Sequence, residues 1–248
     1  MLWLRSVVEA KGGKLVTEHV SGDLLEREDE LLELYDAQCI IDATGLGAFE
    51  AAADRTVYPL RGALIRVVND GTKFPKVTEA LVVANDYNKR DEDGGIVFIV
   101  PRNDKTLILG GKFAHRFATM CGLISAVSGI AQANEGKLDL TLESPEMRRM
   151  RARCNRFVPG LENAELDAEW PMVQGLRPVR GENVRVEREL RRKGDGSLSR
   201  IVHSYGQGGS GFTLSFGCAG DVVGLVEEVD AGILPTPLKS ERTLAGLA

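Results

Sequence analysis

Residues 205–213 read Tyr-Gly-Gln-Gly-Gly-Ser-Gly-Phe-Thr, between an apolar strand pattern (Ile201–Ser204) and a long, sparsely charged helical stretch (Phe212–Val229). No other stretch restricts the fold as strongly. Glycines let the backbone turn sharply and approach another group closely, because no Cβ stands in the way. A helix that starts right after them aims its free N–H groups and the positive end of its dipole at whatever lies there. Such a turn suits a negatively charged or electron-rich group, or else a tight packing turn, and the pattern leaves both open.

Two further stretches bear on the same question. Gln38–Ala43 is a short apolar run that ends in Thr44-Gly45-Leu46-Gly47, a buried strand entering a glycine turn. Gly175-Leu176-Arg177-Pro178-Val179-Arg180 holds an arginine just before a proline, which forces extended backbone at Arg177. A guanidinium fixed on a stiff strand is suited to bidentate capture of a carboxylate. The alternative is a surface ion pair, which fits Arg180 better than Arg177.

The remaining pattern is mixed. Leu2–Ala10 reads as an amphipathic helix stopped by Gly12-Gly13, with a strand over Leu15–Val20. Asp23–Tyr35, with acids at 23, 26, 28, 29, 30 and 33, reads as a solvated hairpin or loop. Strands are expected within Val57–Val68 and over Leu81–Ala84, Gly95–Pro101, Lys105–Gly111 and Asn183–Leu190, with a polar loop at Asn85–Asp93. Glu143–Phe157 is expected to be a helix with Ser144 as N-cap, Pro145 in its first turn, and Met147, Met150 and Phe157 in the core. The tail, Asp230–Ala248, reads as loose. Strands clustered around one helix, framed by strand–turn–helix units, point to an α/β frame carrying a mixed α+β region.

Composition sets the outer limits. The chain has 248 residues, 43% hydrophobic and 27% charged, with a formal net charge of -5. That suits one large or two small packed domains and excludes a mainly disordered chain. A mildly acidic chain has no general attraction to nucleic acid or to anionic membranes. No stretch is read as reaching the ~20 apolar residues that span a bilayer, and the first fourteen residues show no signal-peptide pattern. Cys39, Cys121, Cys154 and Cys218 are scattered and read as reduced thiols. His19, His115 and His203 are dispersed, so no metal site is expected. Ser210 lacks the glycine spacing of a nucleophile elbow.

Taken together, the motifs resemble the FAD-dependent D-amino-acid oxidase and D-aspartate oxidase family. The resemblance rests on Asp42-Ala43-Thr44-Gly45, Arg61-Gly62, Phe98–Pro101, Leu109–Gly111, Gly175–Arg180 with Val184–Glu189, and Tyr205–Thr213, in that order. It implies a partial FAD-binding, Rossmann-like domain with an inserted mixed-sheet substrate domain. The divisions are 1–60 and 166–229 for the cofactor side, 61–165 for the substrate side and 230–248 for the tail. It further implies that Arg177 holds the substrate α-carboxylate, that Phe98, Phe113 and Ser210 border the substrate, and that Gly208, Gly209, Ser210, Gly211, Phe212 and Thr213 lie along the flavin. Thr44 and Gly45 would touch the diphosphate–ribityl side, and the Val20 backbone the adenine.

The implied reaction is oxidative deamination. The α-hydrogen leaves as hydride to the flavin, an imino acid forms, and dioxygen restores the flavin while releasing hydrogen peroxide. Two departures from the family pattern stand out. Phe98 and Phe113 occupy places where the family carries tyrosines, with Gly94 on the intervening loop. The family's G-x-G-x-x-G turn and its ribose-binding acid do not occur in residues 1–60. The chain is therefore expected to correspond to the C-terminal two-thirds of a family member, to self-associate, and to act on a D-amino acid in the peroxisome or cytoplasm. A non-catalytic fragment with an incomplete flavin site, or a glycine- or sarcosine-type amine oxidase, are the alternative readings.

Overall fold

The computed structural model describes residues 2–84, 95–113 and 130–235. The Asn85–Asp93 loop, Gly94, His115, Cys121 and the tail beyond residue 235 lie outside the described residues.

Two sheets organise the described residues. The larger contains β2 (Val57–Val68), β3 (Leu81–Ala84), β4 (Gly95–Pro101), β5 (Thr106–Phe113), β6 (Gln132–Ala133) and β7 (Met172–Arg180). Its path runs β3-β4-β5-β2-β6, with β7 along the other edge of β2. All its pairings are antiparallel. β2 is the long spine. Nine of its residues pair with β7, from Val57↔Arg180 to Ile65↔Met172.

Strand alternation explains the core. Ala63, Ile65 and Val67 of β2, Val97 and Ile99 of β4, and Leu107 and Leu109 of β5 point to one face and are at most 2% exposed. That face is covered by α4 (Pro145–Asn155), which buries Met147, Met150 and Cys154 at helical spacing. Phe157, expected in this core, is instead 38% exposed, because the helix ends at Asn155 and the chain turns before it. Ser144 precedes the helix with extended backbone but makes no side-chain cap; its hydroxyl accepts from the Thr141 amide instead.

The smaller sheet has the order β1-β9-β8, from β1 (Ile40–Asp42), β8 (Arg185–Arg188) and β9 (Ile201–Tyr205). β1 and β9 are parallel, so both run out at the same edge. α5 (Gly211–Asp230) follows β9 and packs on this sheet through Val222 and Val229.

Three sequence expectations are corrected here. Residues 14–20 form no strand: they are extended, exposed and without a ladder partner among the described residues. The acidic stretch contains a helix, α2 (Glu28–Leu34), because Leu24, Leu31 and Ala51 pack on Ile201 and Glu28 is fully buried. Finally, Gly208–Asp230 is long and apolar enough to span a bilayer by length and composition, and only 6% of its most apolar window is buried, unlike a core helix. Its apolar content comes from Phe212, Leu214, Phe216, Val222, Val223, Leu225 and Val226, with Asp221 the one charge before Glu227.

Candidate functional site

β7 is where several of the sequence-predicted residues come together. By register, Leu60, Gly62 and Leu64 of β2 share a face with Arg177, Gly175 and Val173 of β7, opposite the α4-covered core. Phe98 of β4 pairs with Gly110 and lies in the same alternation as Ile108 and Val100, hence on that open face too. Gly62 and Gly175 stand opposite each other and leave a trough with no side chains. The Arg177 guanidinium lies over Gly62, where a Cβ would fall 2.0 Å from Nη1 and 2.3 Å from Cζ, while a Cβ on Gly175 would meet nothing within 4 Å. Nη1 also donates to the Ile130 carbonyl at 3.2 Å. Burial lowers the Arg177 pKa from its ordinary value. Arg180 takes the ion-pair role expected of it, with Nε 2.7 Å from Asp54.

The register separates the two phenylalanines. Phe113 pairs with Gly95, in the alternation of Leu109 and Gly111 rather than that of Phe98, and its side chain lies outside the described residues. The two positions therefore sit on opposite faces of the sheet.

Both glycine turns close on β7 just beyond Arg177. The turn after β9 is a 3-10 segment, Gly208–Ser210, leading into α5. Gly208 has φ 55°, and a Cβ there would meet Val179 Cγ2 at 3.2 Å. Val179 shares the Arg177 face, so this turn and the guanidinium lie on one side of the sheet. The turn after β1, Gly45–Gly47, comes to the neighbouring residue: a Cβ on Gly45 (φ 61°) would meet Pro178 Cβ at 3.2 Å. Part of the glycine requirement is thus close packing on β7.

The groups on offer differ between the two turns. At the start of α5, Gly209, Phe212 and Thr213 are exposed and Ser210 and Gly211 are half-buried. A Cβ on Gly211 would meet only Gln207 Cβ, at 3.8 Å, so this backbone is open to approach. The first amides of the helix, with the Ser210 and Thr213 hydroxyls nearby, form a donor set that fits an electron-rich ring edge such as the pyrimidine end of FAD. At the other turn, the Thr44 amide and hydroxyl both donate to Asp42 Oδ1, at 3.1 and 2.7 Å. Val20 is exposed, on the segment without regular structure before α2.

Behind the turns lies a polar network that sequence reasoning missed. His203 is fully buried between two carboxylates, with Nδ1 2.9 Å from Asp42 Oδ2 and Nε2 3.2 Å from Glu189 Oε2. Glu189 also accepts from the Arg191 amide and guanidinium, and Arg191 reaches Asp23. Beside it, the Tyr205 hydroxyl donates to Asp54 at 2.9 Å and accepts from Arg185 at 2.6 Å. Burial and the bond to Asp54 together raise the Tyr205 pKa, against the effect of Arg185. The sequence signal for this network is a polar residue following two apolar ones in each short strand, Asp42 after Ile40-Ile41 and His203 after Ile201-Val202. The partners stand 161 and 14 residues from His203. Among the described residues, no group of three or more His, Cys, Asp or Glu side chains is placed to hold a metal ion.

Comparison with known proteins gives this geometry its setting. Residues 1–225 match the family described as FAD dependent oxidoreductase. The D-amino acid oxidase of Dugesia ryukyuensis is 27% identical over 219 residues, covering 88% of this chain and 52% of that protein. The D-amino-acid oxidase of Dictyostelium discoideum is 30% identical over 193 residues, covering 78% and 44%. Human D-aspartate oxidase is 25% identical over 228 residues, covering 91% and 52%. The chain thus spans about half the length of the curated relatives it matches. Among solved structures, glycine oxidase from Bacillus cereus superposes with a TM-score of 0.53 at 12% identity, covering 82% of this chain and 45% of that one. That likeness concerns the fold: a partial FAD-binding frame carrying an antiparallel sheet. The cofactor of the family is FAD, and the chain belongs to the FAD dependent oxidoreductase family.

Proposed function

We propose that this chain carries the substrate side and the flavin-facing turn of an enzyme that oxidises a D-amino acid to an imino acid, with dioxygen as the final electron acceptor. The observation that carries the reading is the placement of Arg177 and the Gly208–Thr213 turn on one side of β7, separated by Val179. The curated relatives named as D-amino-acid and D-aspartate oxidases support the substrate class.

The chain's own residues would act as follows. Arg177 binds the α-carboxylate of the amino acid through paired N–H donors. Its aim is set by the space over Gly62 and by the bond to the Ile130 carbonyl. Phe98, with Leu64 and Val173 on the same face, gives the side chain an apolar wall. The carboxylate and the wall together hold the Cα–H bond in one orientation, which converts an encounter into a positioned reaction. Gly209, Ser210, Gly211, Phe212 and Thr213 present amides and hydroxyls to the cofactor ring. Thr44, Gly45 and the Val20 backbone are assigned to its ribityl–diphosphate and adenine parts. When bound, FAD supplies a two-electron acceptor. The reaction so drawn needs no general base once the amine is neutral.

The units proposed to do this are residues 1–60 and 166–229 on the cofactor side and 61–165 on the substrate side. The test is a substrate panel on FAD-supplemented protein, following peroxide release with neutral and acidic D-amino acids, their L-enantiomers, glycine and sarcosine. Turnover confined to D-amino acids supports the proposal. Turnover of glycine and sarcosine without D-amino acids overturns it.

A further inference from the structure

We infer that His203 is a positioning residue that sets the cofactor-facing Thr44–Gly47 turn through Asp42. The inference rests on the proposed assignment of Thr44 and Gly45 to the cofactor.

The connection is direct. Asp42 is the last residue of β1 and is 1% exposed. Its Oδ1 accepts both donors of Thr44, and Thr44 in turn accepts from the Gly47 amide at 3.1 Å. That leaves Oδ2 to face His203 Nδ1. A carboxylate buried to this degree needs a partner, since an isolated charge in such surroundings is neutralised rather than kept. His203 is that partner, and Glu189 on its far side decides its protonation. With an acceptor at each ring nitrogen, both nitrogens are bonded as donors only when the ring carries two protons. Burial pushes the imidazole toward neutrality, but the bonds to Asp42 and Glu189 outweigh it and raise its pKa. Burial likewise opposes the charge on Asp42, and the donors His203 and Thr44 outweigh it and lower its pKa. Glu189 is steadied by Arg191, which is itself tied to Asp23.

The arrangement therefore runs across all three strands of the small sheet and ends at the one turn whose donors it orients. β9 carries His203 three residues before Gly206, the first glycine of the second turn. Without His203, Asp42 has no cationic neighbour, takes up a proton and accepts weakly from Thr44. The turn then loses its fixed aim.

The experiment compares variants of the whole chain by hydrogen exchange of residues 42–48, by FAD dissociation constant from flavin fluorescence, and by unfolding midpoint. His203→Leu removes both donors, and His203→Gln keeps one in case the first variant folds poorly. Ser199→Ala serves as control, because it removes a buried hydrogen bond to Glu28 near the other end of β9. Thr44→Ala tests the cofactor assignment by itself. All variants are expected to unfold at lower temperature. Both His203 variants are expected to speed exchange at 42–48 at least tenfold and to weaken FAD binding at least tenfold, whereas Ser199→Ala changes neither. Unchanged exchange at 42–48 in both His203 variants overturns the positioning role without any reference to flavin. Weakened FAD binding in Thr44→Ala but not in the His203 variants overturns it while keeping the cofactor assignment. Normal FAD binding in Thr44→Ala overturns the assignment and the inference together.

Discussion

Replacing Gly62 with alanine probes the substrate clamp from behind. The new methyl would sit 2.0 Å from Arg177 Nη1 and 2.3 Å from Cζ and Nη2, whereas ordinary contact begins at 3.4 Å. The guanidinium, as the far end of a flexible side chain, must shift by about 1.4 Å. The backbone has no reason to follow, because Gly62 lies mid-strand and alanine stiffens the unfolded chain there by roughly 0.5–1 kcal/mol in favour of folding. A hydrogen bond to a charged group is worth about 1.5–3 kcal/mol. At 1.4 kcal/mol per tenfold, losing one such bond to the α-carboxylate raises KM roughly 10- to 150-fold. The assay is KM for a D-amino acid from peroxide release, beside the unfolding midpoint. A Gly62→Ala protein with an unchanged midpoint and a KM within twofold of the parent would refute the claim that Arg177 holds the substrate.

Other perturbations separate packing from chemistry. Phe98→Tyr adds a hydroxyl on the Arg177 face and is expected to tighten binding of D-amino acids by up to about tenfold, the worth of one neutral hydrogen bond; no tightening for any of them counts against that face as the pocket. Gly208→Ala forces a methyl against Val179 at positive φ and is expected to cost about 1–2 kcal/mol, lowering the unfolding midpoint by several degrees, while Gly211→Ala, in open space, costs little but weakens FAD binding. Burial pushes the Cys154 thiol up to about 11, so native protein should react with a thiol reagent at Cys39 and Cys218 well before Cys154, as mass mapping of the labelled peptides would show. His203, raised above its ordinary value of 6.5, contributes stability that is present below that pH and is lost as pH rises through its folded pKa. Asp42, lowered from 3.8, contributes stability that is lost as pH falls. Unfolding midpoints measured across pH should therefore fall at both ends, and His203→Leu should flatten the alkaline limb.

What the sequence revealed of this molecule follows from the range of the interactions involved. β2, β4, β5 and α4 were legible because alternation and helical spacing are local, and their apolar residues face one core. The extended backbone at Arg177 was legible because Pro178 restricts it locally. α2 was missed because its helix depends on Glu28, whose partners Ser199 and Arg200 lie more than 170 residues away. Lys14–Val20 was misread because alternation alone does not supply a neighbouring strand. The His203 pair with Asp42 and Glu189 was invisible as a site, since parallel pairing of β1 with β9 is what brings 42 and 203 together. The glycines in Tyr205–Thr213 were recognised correctly as a turn, but their contacts with Val179 and Arg180 show that packing accounts for Gly206 and Gly208 as much as access does.

The most direct measurement is anaerobic mixing of FAD-loaded protein with D- and L-amino acids while the visible flavin band is recorded. The proposed site predicts that the band bleaches with a D-amino acid, persists with its L-enantiomer, and persists with either in Arg177→Ala. Bound flavin that no D-amino acid bleaches, or that bleaches equally well without Arg177, would contradict it.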